Sequence, residues 1–182
     1  MLSTRVLKKT SYIVYMTGQV CEIKEIVADK FVIGAVRNNK YGGEYQLLNY
    51  GGGDGLYFKL RGTCPFGIYT DNAHVAISQS DAEALSALDV HFQKLYPTWK
   101  PIVKSSEQYG PHVECSVQHT LFWDNSGKNV DQPLHEQTVG AEVSLLVHLA
   151  NVSMGAYGAT IKPRAKQIRL VKLDRFATKC MV

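Results

Sequence analysis

One stretch in the middle of the chain has the periodicity of a helix. Its apolar residues recur at helical spacing: Leu85, Leu88, Phe92 and Leu95. Ser80 and Glu83 fit a capping box at the start of this stretch, and Pro97 interrupts the pattern just after Tyr96. The pattern therefore predicts one amphipathic helix over residues 80–96, with its apolar stripe packed in the core.

On both sides of this helix, β-branched and aromatic residues alternate with polar ones, a pattern typical of strands. The strands predicted before the helix are two within residues 11–36, with a turn near 28–30, one at 44–50 and one at 56–61. Those predicted after it are 113–123, 141–150 and 157–173, with a polar hairpin loop over 124–133. Glycine clusters around residues 42–43 and 51–55 mark tight turns.

Several strands, glycine-rich turns and one central helix favour a mainly β fold. We predict an OB-like β-barrel, with a β-sandwich as the alternative, because strand number and spacing do not separate the two. At 182 residues the chain has the usual length of a single domain, and we expect residues 1–182 to form one.

No apolar run reaches the roughly 18 to 20 residues that a membrane span requires. The N-terminus has basic residues but lacks the apolar stretch of about 7 or more that a signal peptide contains. We therefore expect an intracellular protein, in the host cytoplasm or nucleus if it is viral, that is not secreted and has no membrane partner.

The net charge of +4 is unevenly distributed along the chain. Residues 162–179 contain seven basic side chains and one acidic side chain, whereas the rest of the chain contains 13 basic and 15 acidic residues. A local basic excess of this kind favours an anionic partner. Arg164 and Lys166 are two apart on a predicted strand and should project from one face, with Lys162 in line before them.

Signatures of catalysis and of metal binding are absent from the sequence. There is no phosphate-binding loop, no GxSxG elbow and no HExxH motif. The four cysteines form no CxxC pair, so we expect buried thiols, no metal and no cofactor. His148 lies in an apolar strand and is more typical of a hydrogen-bonded structural histidine than of a catalytic base. We predict that the chain is not an enzyme.

The ingredients of single-strand binding are better represented, because cations that follow phosphates occur beside aromatic rings on which bases stack. The first cluster, among glycines, is Lys40, Tyr41, Tyr45 and Tyr50; the second, after the helix, is Trp99, Lys100 and Lys104, with Tyr109 nearby; the third is Tyr157, Lys162, Arg164, Lys166 and Arg169. Each has a structural alternative. The tyrosines could pack over turns, Trp99 could close the core, and the basic strand could be an edge protected by charge.

In the order of these features the chain resembles the OB-fold single-stranded DNA-binding proteins encoded by bacteriophages and large DNA viruses. The resemblance covers about two thirds of the chain. It is carried by a Tyr-Gly turn leading to CPFGIY at 64–69, the inserted helix at 80–96, YPTWKPIVK at 96–104, and a strand at 143–173 that passes through a Gly-x-Tyr-Gly turn into a final basic strand.

This resemblance implies a non-catalytic protein that coats and protects single-stranded DNA during replication or recombination, with little sequence preference. It assigns Tyr157, Arg164, Lys166 and Arg169 to the last barrel hairpin, and Trp99 and Lys100 to the loop beyond the helix. Replication or recombination proteins are then expected partners, and a homo-oligomer is compatible with this interpretation. Many such proteins end in an acidic tail, whereas this sequence ends DRFATKCMV, so recruitment of partners through such a tail is not expected.

A second interpretation comes from a different class of protein. In it the chain is a viral structural or assembly protein with a β-sandwich fold, whose basic strand contacts an acidic neighbour or packaged nucleic acid.

Overall fold

The computed structural model describes residues 20–172. The strands, in chain order, are β1 (Val20–Glu22), β2 (Phe31–Asn38), β3 (Glu44–Tyr50), β4 (Gly53–Asp54), β5 (Leu56–Cys64), β6 (Asn72–Ala76), β7 (Trp99–Lys100), β8 (Val103–Ser106), β9 (Gly110–Ser116), β10 (Leu121–Trp123), β11 (Asn129–Val130), β12 (Ala141–Leu149), β13 (Asn151–Gly155), β14 (Gly158–Ile161) and β15 (Arg164–Lys172). The helix α1 spans Gln79–Leu95, and short 3-10 turns span Ile23–Glu25, Ala28–Lys30 and His135–Gln137.

Five strands close into a barrel in the order β5, β6, β9, β15, β12 and back to β5. The closing contact is a parallel pairing between Ser116 of β9 and Arg164 of β15. The Ser116 amide reinforces it by donating a 2.8 Å hydrogen bond to the carbonyl of Pro163. Because this contact joins β9 to β15 and so closes the ring of five strands, the OB-like barrel prediction is confirmed and the β-sandwich alternative is wrong.

A second sheet has the order β2, β3, β13, β14, β7. Two of its strands are continuous with barrel strands. Strand β12 continues into β13 after Ala150, and β14 continues into β15 through Lys162 and Pro163. These four strands form one long antiparallel hairpin, paired from Glu142 and Lys172 in the barrel to Gly155 and Gly158 at the tip. The same two stretches of chain therefore belong to both sheets.

The helix α1 packs beneath the second sheet. The buried positions of its apolar stripe include Leu85, Leu88 and Phe92, and the Phe92 ring contacts Phe31 of β2 edge-on at 5.3 Å. Leu95 is half exposed, so the predicted stripe ends one turn earlier than expected. Within residues 20–172, no helix is both long and apolar enough to cross a membrane.

The start of α1 differs from the prediction. The N-cap is Ser78, whose hydroxyl accepts a hydrogen bond from the Asp81 amide at 3.1 Å, and not Ser80. Both serines satisfy the sequence rule for a cap, but Ser80 lies within the first helical turn. The helix ends at Leu95, before Pro97, as predicted.

The strand predictions hold best where alternation is unbroken. The predicted strand at 44–50 coincides with β3, whereas the strand predicted at 113–123 is two strands separated by a turn in which His119 has a φ of 59°. The strand predicted at 157–173 is likewise divided, at Lys162 and Pro163, because proline cannot donate to a ladder. Residues 11–19 and 173 of the predicted strands lie outside the described residues.

The buried side chains form one hydrophobic cluster that joins the barrel interior to the underside of the second sheet. Cys21, Cys64 and Cys115 lie within it, as predicted for buried thiols, whereas Cys180 falls outside the described residues. Burial raises the pKa of the Cys64 and Cys115 thiols to about 12, so both remain protonated and unreactive at neutral pH.

His148 is a structural histidine of the barrel wall. It is 5% exposed, its ring stacks on Tyr57 at 4.0 Å, and its Nε2 donates to the Asp54 carbonyl at 2.9 Å. Burial lowers its pKa, and the nearby Lys166 and Arg164 lower it further.

Because the pKa of His148 is lower in the folded chain than in the unfolded chain, protonation favours unfolding. Its contribution to stability is fully present above its unfolded pKa of about 6.5 and is lost as the pH falls below that value. Thermal denaturation should therefore show a melting temperature that falls on acidification. It should fall less steeply for His148→Gln than for the unaltered chain. Parallel curves for the two proteins would contradict this assignment.

Candidate nucleic-acid interface

One face of the second sheet presents a row of polar and aromatic side chains to solvent. The pairings align Arg37 with Tyr45, Tyr45 with Ser153, Ser153 with Thr160, and Thr160 with Lys100. Directly paired residues on neighbouring strands point to the same side of a sheet. All five side chains are partly or fully exposed, and the row contains no carboxylate.

The opposite side of the sheet faces the helix. Val152 and Ile161 are buried there, and Gln46 in the same row accepts a 2.8 Å hydrogen bond from the hydroxyl of Tyr96, just beyond α1. Because this side of the second sheet packs against the core, only the opposite side is open to solvent and to a ligand. We call the solvent-facing row, together with Tyr157 at its edge, the tyrosine face.

Tyr157 lies at the tip of the β13–β14 hairpin and is 86% exposed. The Lys100 ammonium lies 5.5 Å from the centre of its ring, within the range of a cation–π contact. In the sequence these two residues belong to separate clusters of aromatic and basic side chains. The parallel pairing of β7 with β14 brings them together. An exposed ring beside a cation can stack a base and contact the adjoining phosphate.

Gly158 makes this approach possible. Its φ is +112°, and a Cβ added there would lie 2.2 Å from the carbonyl oxygen of Thr98. Only glycine both adopts that backbone conformation readily and allows the Thr98 backbone to come so close. The hairpin tip therefore rests directly on the chain that leads into Lys100.

Asp89 of α1 holds the same segment from below. Its Oδ1 accepts from the Trp99 indole at 2.8 Å and from the Ile102 amide at 2.7 Å, and its Oδ2 accepts from the Val103 amide at 3.2 Å. The carboxylate is buried, and these donors replace the water it loses. Asp89 thus fixes the loop that positions Lys100.

The neighbouring hairpin tip carries a second lysine–tyrosine pair. Tyr41 is 82% exposed, and the Lys40 ammonium lies 4.9 Å from the centre of its ring. The turn is ordered by Asn39, whose side-chain oxygen accepts from the amides of Tyr41 and Gly43. Because β3 pairs with β13, the two hairpin tips lie at the same end of the sheet.

Three of the predicted binding residues make contacts within the protein. Tyr50 is buried and accepts a 2.9 Å hydrogen bond from the Val27 amide, so no base can reach its ring. Trp99 is stacked on Phe92 at 5.0 Å and bonded to Asp89, so it closes the core. Lys104 is neutralised by a 2.6 Å ion pair with Glu114.

The basic strand is divided by the structure. Lys162 borders a surface pocket together with Lys104 of β8 and Glu114 of β9. Arg164 and Lys166 instead lie near His148, on the wall formed by β12 and β15. The three cations therefore do not lie on one uninterrupted strand, because Lys162 and Pro163 separate β14 from β15.

A bulge within β15 changes the side on which its later side chains lie. Val147 pairs with Ala165 and Leu146 with Gln167, so Lys166 is the extra residue. Arg164 and Arg169 are five apart, and strict alternation would put them on opposite faces. The inserted residue returns Arg169 to the outer surface, where it is exposed between buried Ile168 and Leu170.

Four residues of the site lie outside the clusters predicted from the sequence: Arg37, Ser153, Thr160 and Asp89. A signal existed for Asp89, because it lies on the apolar stripe of α1, four residues after Leu85, where a carboxylate requires partners. Arg37 could be found from the β2–β3 hairpin, since a loop over residues 39–43 places it opposite Tyr45.

His112, Cys115 and His119 have the spacing in this sequence that is nearest to a zinc site, but the structure does not bring them together as one. Cys115 is fully buried, whereas His119 is exposed in the turn after β9. Among residues 20–172, no three or more His, Cys, Asp or Glu side chains are arranged to hold a metal ion.

Comparison with known proteins adds a structural likeness. No protein-family model and no curated protein sequence matches the chain. Among solved structures, it is similar to the single-stranded DNA-binding protein from bacteriophage Enc34, with a TM-score of 0.46 and 11% sequence identity over 80% of this chain and 92% of that chain. A likeness at this level assigns no function to the chain.

The contact between Gly158 and Thr98 can be tested by substitution. Gly158→Ala should lower the free energy of unfolding by about 1 to 3 kcal/mol, because the added methyl group meets a backbone carbonyl and the positive φ is strained. Gly155→Ala in the same hairpin is the matched control, since nothing lies within 4 Å of its added Cβ. Chemical denaturation measures both, and equal losses of stability would contradict the close approach.

Proposed function

We propose that this chain is a single-stranded DNA-binding protein, which holds and protects single strands on the tyrosine face during replication or recombination and catalyses no reaction. The observation that carries the proposal is the row from Arg37 to Lys100. It combines the ring of Tyr45 with two cations and two hydroxyl groups on one solvent-facing surface without a carboxylate, and Tyr157 adds a second ring at its edge.

The dimensions of the face suit an extended strand. Neighbouring strands lie about 4.8 Å apart, so the four steps from Arg37 on β2 to Lys100 on β7 span about 19 Å. Tyr45 and Tyr157 offer rings to successive bases, and the cations at each side neutralise phosphates. Ser153 and Thr160, between them, supply hydroxyl groups that hydrogen-bond with little preference for one base.

The exposed tyrosines favour single strands over duplex. A ring on a hairpin tip stacks against the flat face of a base, and in a duplex those faces are covered by neighbouring base pairs. The Lys–Tyr pairs at Tyr41 and Tyr157 therefore offer more to an unpaired base than to a helix.

Binding should depend steeply on salt. Each neutralised phosphate releases counterions and contributes about −0.7 to the slope of log K against log salt on single strands. Fluorescence anisotropy with labelled oligo-dT should give such a slope, and Lys100→Gln should reduce its magnitude by about 0.7. Lys24→Gln removes an exposed lysine outside the tyrosine face and should leave the slope unchanged. An affinity that does not vary with salt would exclude this mechanism.

The tyrosine ring is tested separately from its charge. Tyr157→Ala should weaken binding to oligo-dT by about 1 to 3 kcal/mol, the value of one stacked base, while Tyr157→Phe should retain most of the affinity. The residue is almost fully exposed, so neither change should lower the melting temperature. Titration against duplex DNA and single-stranded RNA of equal length shows the preference. Equal affinity of the Ala and Phe variants for oligo-dT would move the stacking site away from Tyr157.

A further inference from the structure

An open groove of about 470 Å³ runs along the outer surface of the barrel, away from the tyrosine face. Its chemistry-bearing lining comes from β5, β10, β12 and β15. These side chains are Lys59, Trp123, Ser144, Leu146, Gln167 and Arg169. None of them belongs to the tyrosine face. The groove lies on the outside of the barrel, so packing of the barrel interior does not explain why a tryptophan, polar residues and basic residues meet there.

The strand register explains how these residues meet. Trp123 pairs with Arg169, Arg169 with Ser144, and Ser144 with Arg61, so one row crosses four strands of the wall. In the next row, Leu146 lies between Gln167 and Lys59. The indole of Trp123 therefore lines the groove beside Arg169, and Ser144, Leu146 and Gln167 line it on the neighbouring strand positions.

The cations of this wall are available to a ligand. Arg61 and Arg169 form no ion pair with any residue between 20 and 172, whereas Lys59 is paired with Glu22 at 2.8 Å. One Nη of Arg169 donates to the Asn125 carbonyl at 2.9 Å, which orients the guanidinium and leaves other donors of its fork unused. An oriented guanidinium is well suited to a phosphate.

Trp123 provides an aromatic surface beside that cation. Its side chain is partly exposed, although its indole nitrogen is buried and has no hydrogen-bond partner among the described residues, so the ring face is what the groove presents. A nucleotide has the matching chemistry, because its base can stack on the indole and its phosphate can reach Arg169. Ser144 and Gln167 can hydrogen-bond to the edge of that base.

The groove is connected to the tyrosine face along the long hairpin. Arg164, at the start of β15, donates from Nη2 to the Asn151 side chain at 3.1 Å, and Asn151 lies two residues before Ser153 on the same strand. From Arg164 the strand runs five residues to Arg169, about 17 Å at the usual rise per residue. A polar and cationic surface therefore joins the two sites.

We propose that the barrel groove is a second nucleotide site for the same DNA strand, with a base against Trp123 and its phosphate against Arg169. The proposal rests on the proposed function and extends it. A strand that leaves the tyrosine face passes Arg164 and continues around the barrel wall, so the bound length exceeds what the second sheet alone can hold.

The two tryptophans allow a direct test, because residues 99 and 123 are the only ones in the chain. Trp99→Phe keeps an aromatic ring on Phe92 and leaves Trp123 as the sole indole. Two lengths of oligo-dT, ~5 and ~16 nucleotides, approach the ends of the range of site sizes seen per OB fold. The longer strand should quench Trp123 fluorescence at saturation, whereas the shorter one should bind the tyrosine face with little quenching.

A second measurement uses the chain with both tryptophans intact. Arg169→Gln should weaken anisotropy-detected binding of the longer oligo-dT about tenfold, the value of one lost charge-assisted contact, and leave the shorter one unchanged. Lys24→Gln is the charge-matched control. This arm remains informative if Trp99→Phe disturbs the fold, which thermal denaturation monitored by circular dichroism would reveal.

The outcomes separate this proposal from the one on which it rests. If the longer strand binds but neither quenches Trp123 nor responds to Arg169→Gln, the groove proposal is overturned while the tyrosine face stands. If neither strand binds, both proposals fail. If thymidine monophosphate quenches Trp123 as strongly as the longer strand does at equal phosphate concentration, the groove is a site for free nucleotides and the continuous path is wrong.

Discussion

The bend of the long hairpin formed by β12, β13, β14 and β15 is the constraint on which the rest of the molecule depends. At the bend, two backbone carbonyls bond to different neighbours. The Ala150 carbonyl accepts from Leu48 of the second sheet, and the Pro163 carbonyl accepts from Ser116 of the barrel. One hairpin thereby closes the barrel and also provides the central strands of a second sheet. The tyrosine face and the barrel groove lie on the two arms of this element, which is why a single surface can join them.

Local patterns in the sequence predict the regular elements well, and they predict the side chains of the site less well. The helix and β3 follow from periodicity alone, because their apolar positions repeat without interruption. The alternation of side chains along β3 also shows that the tyrosines of one predicted binding cluster cannot all share a face. Tyr45 and Tyr50 are five residues apart on one strand, so they must face opposite sides of the sheet, and the structure puts one in solvent and the other in the core.

The features that sequence could not supply are those that depend on distant partners. The meeting of Lys100 with Tyr157 requires the pairing of two strands that lie far apart in the chain. The position of Arg169 depends on a one-residue bulge, which has no local signature in a run such as Arg164 to Arg169. A buried carboxylate such as Asp89 can be recognised as unusual from its place in the helix, but its three donors become known only from the fold.

Strand β7 has only two residues, and three contacts hold it beside β14: the carboxylate of Asp89, the stacking of Trp99 on Phe92 and the close approach at Gly158. Among the described residues, no barrel strand pairs with β7. The charged residues of the segment between α1 and β8 can therefore change in evolution or by design without altering the register of any barrel strand. The condition is that the buried acceptor on the helix, the indole that closes the core and the glycine at the hairpin tip are retained.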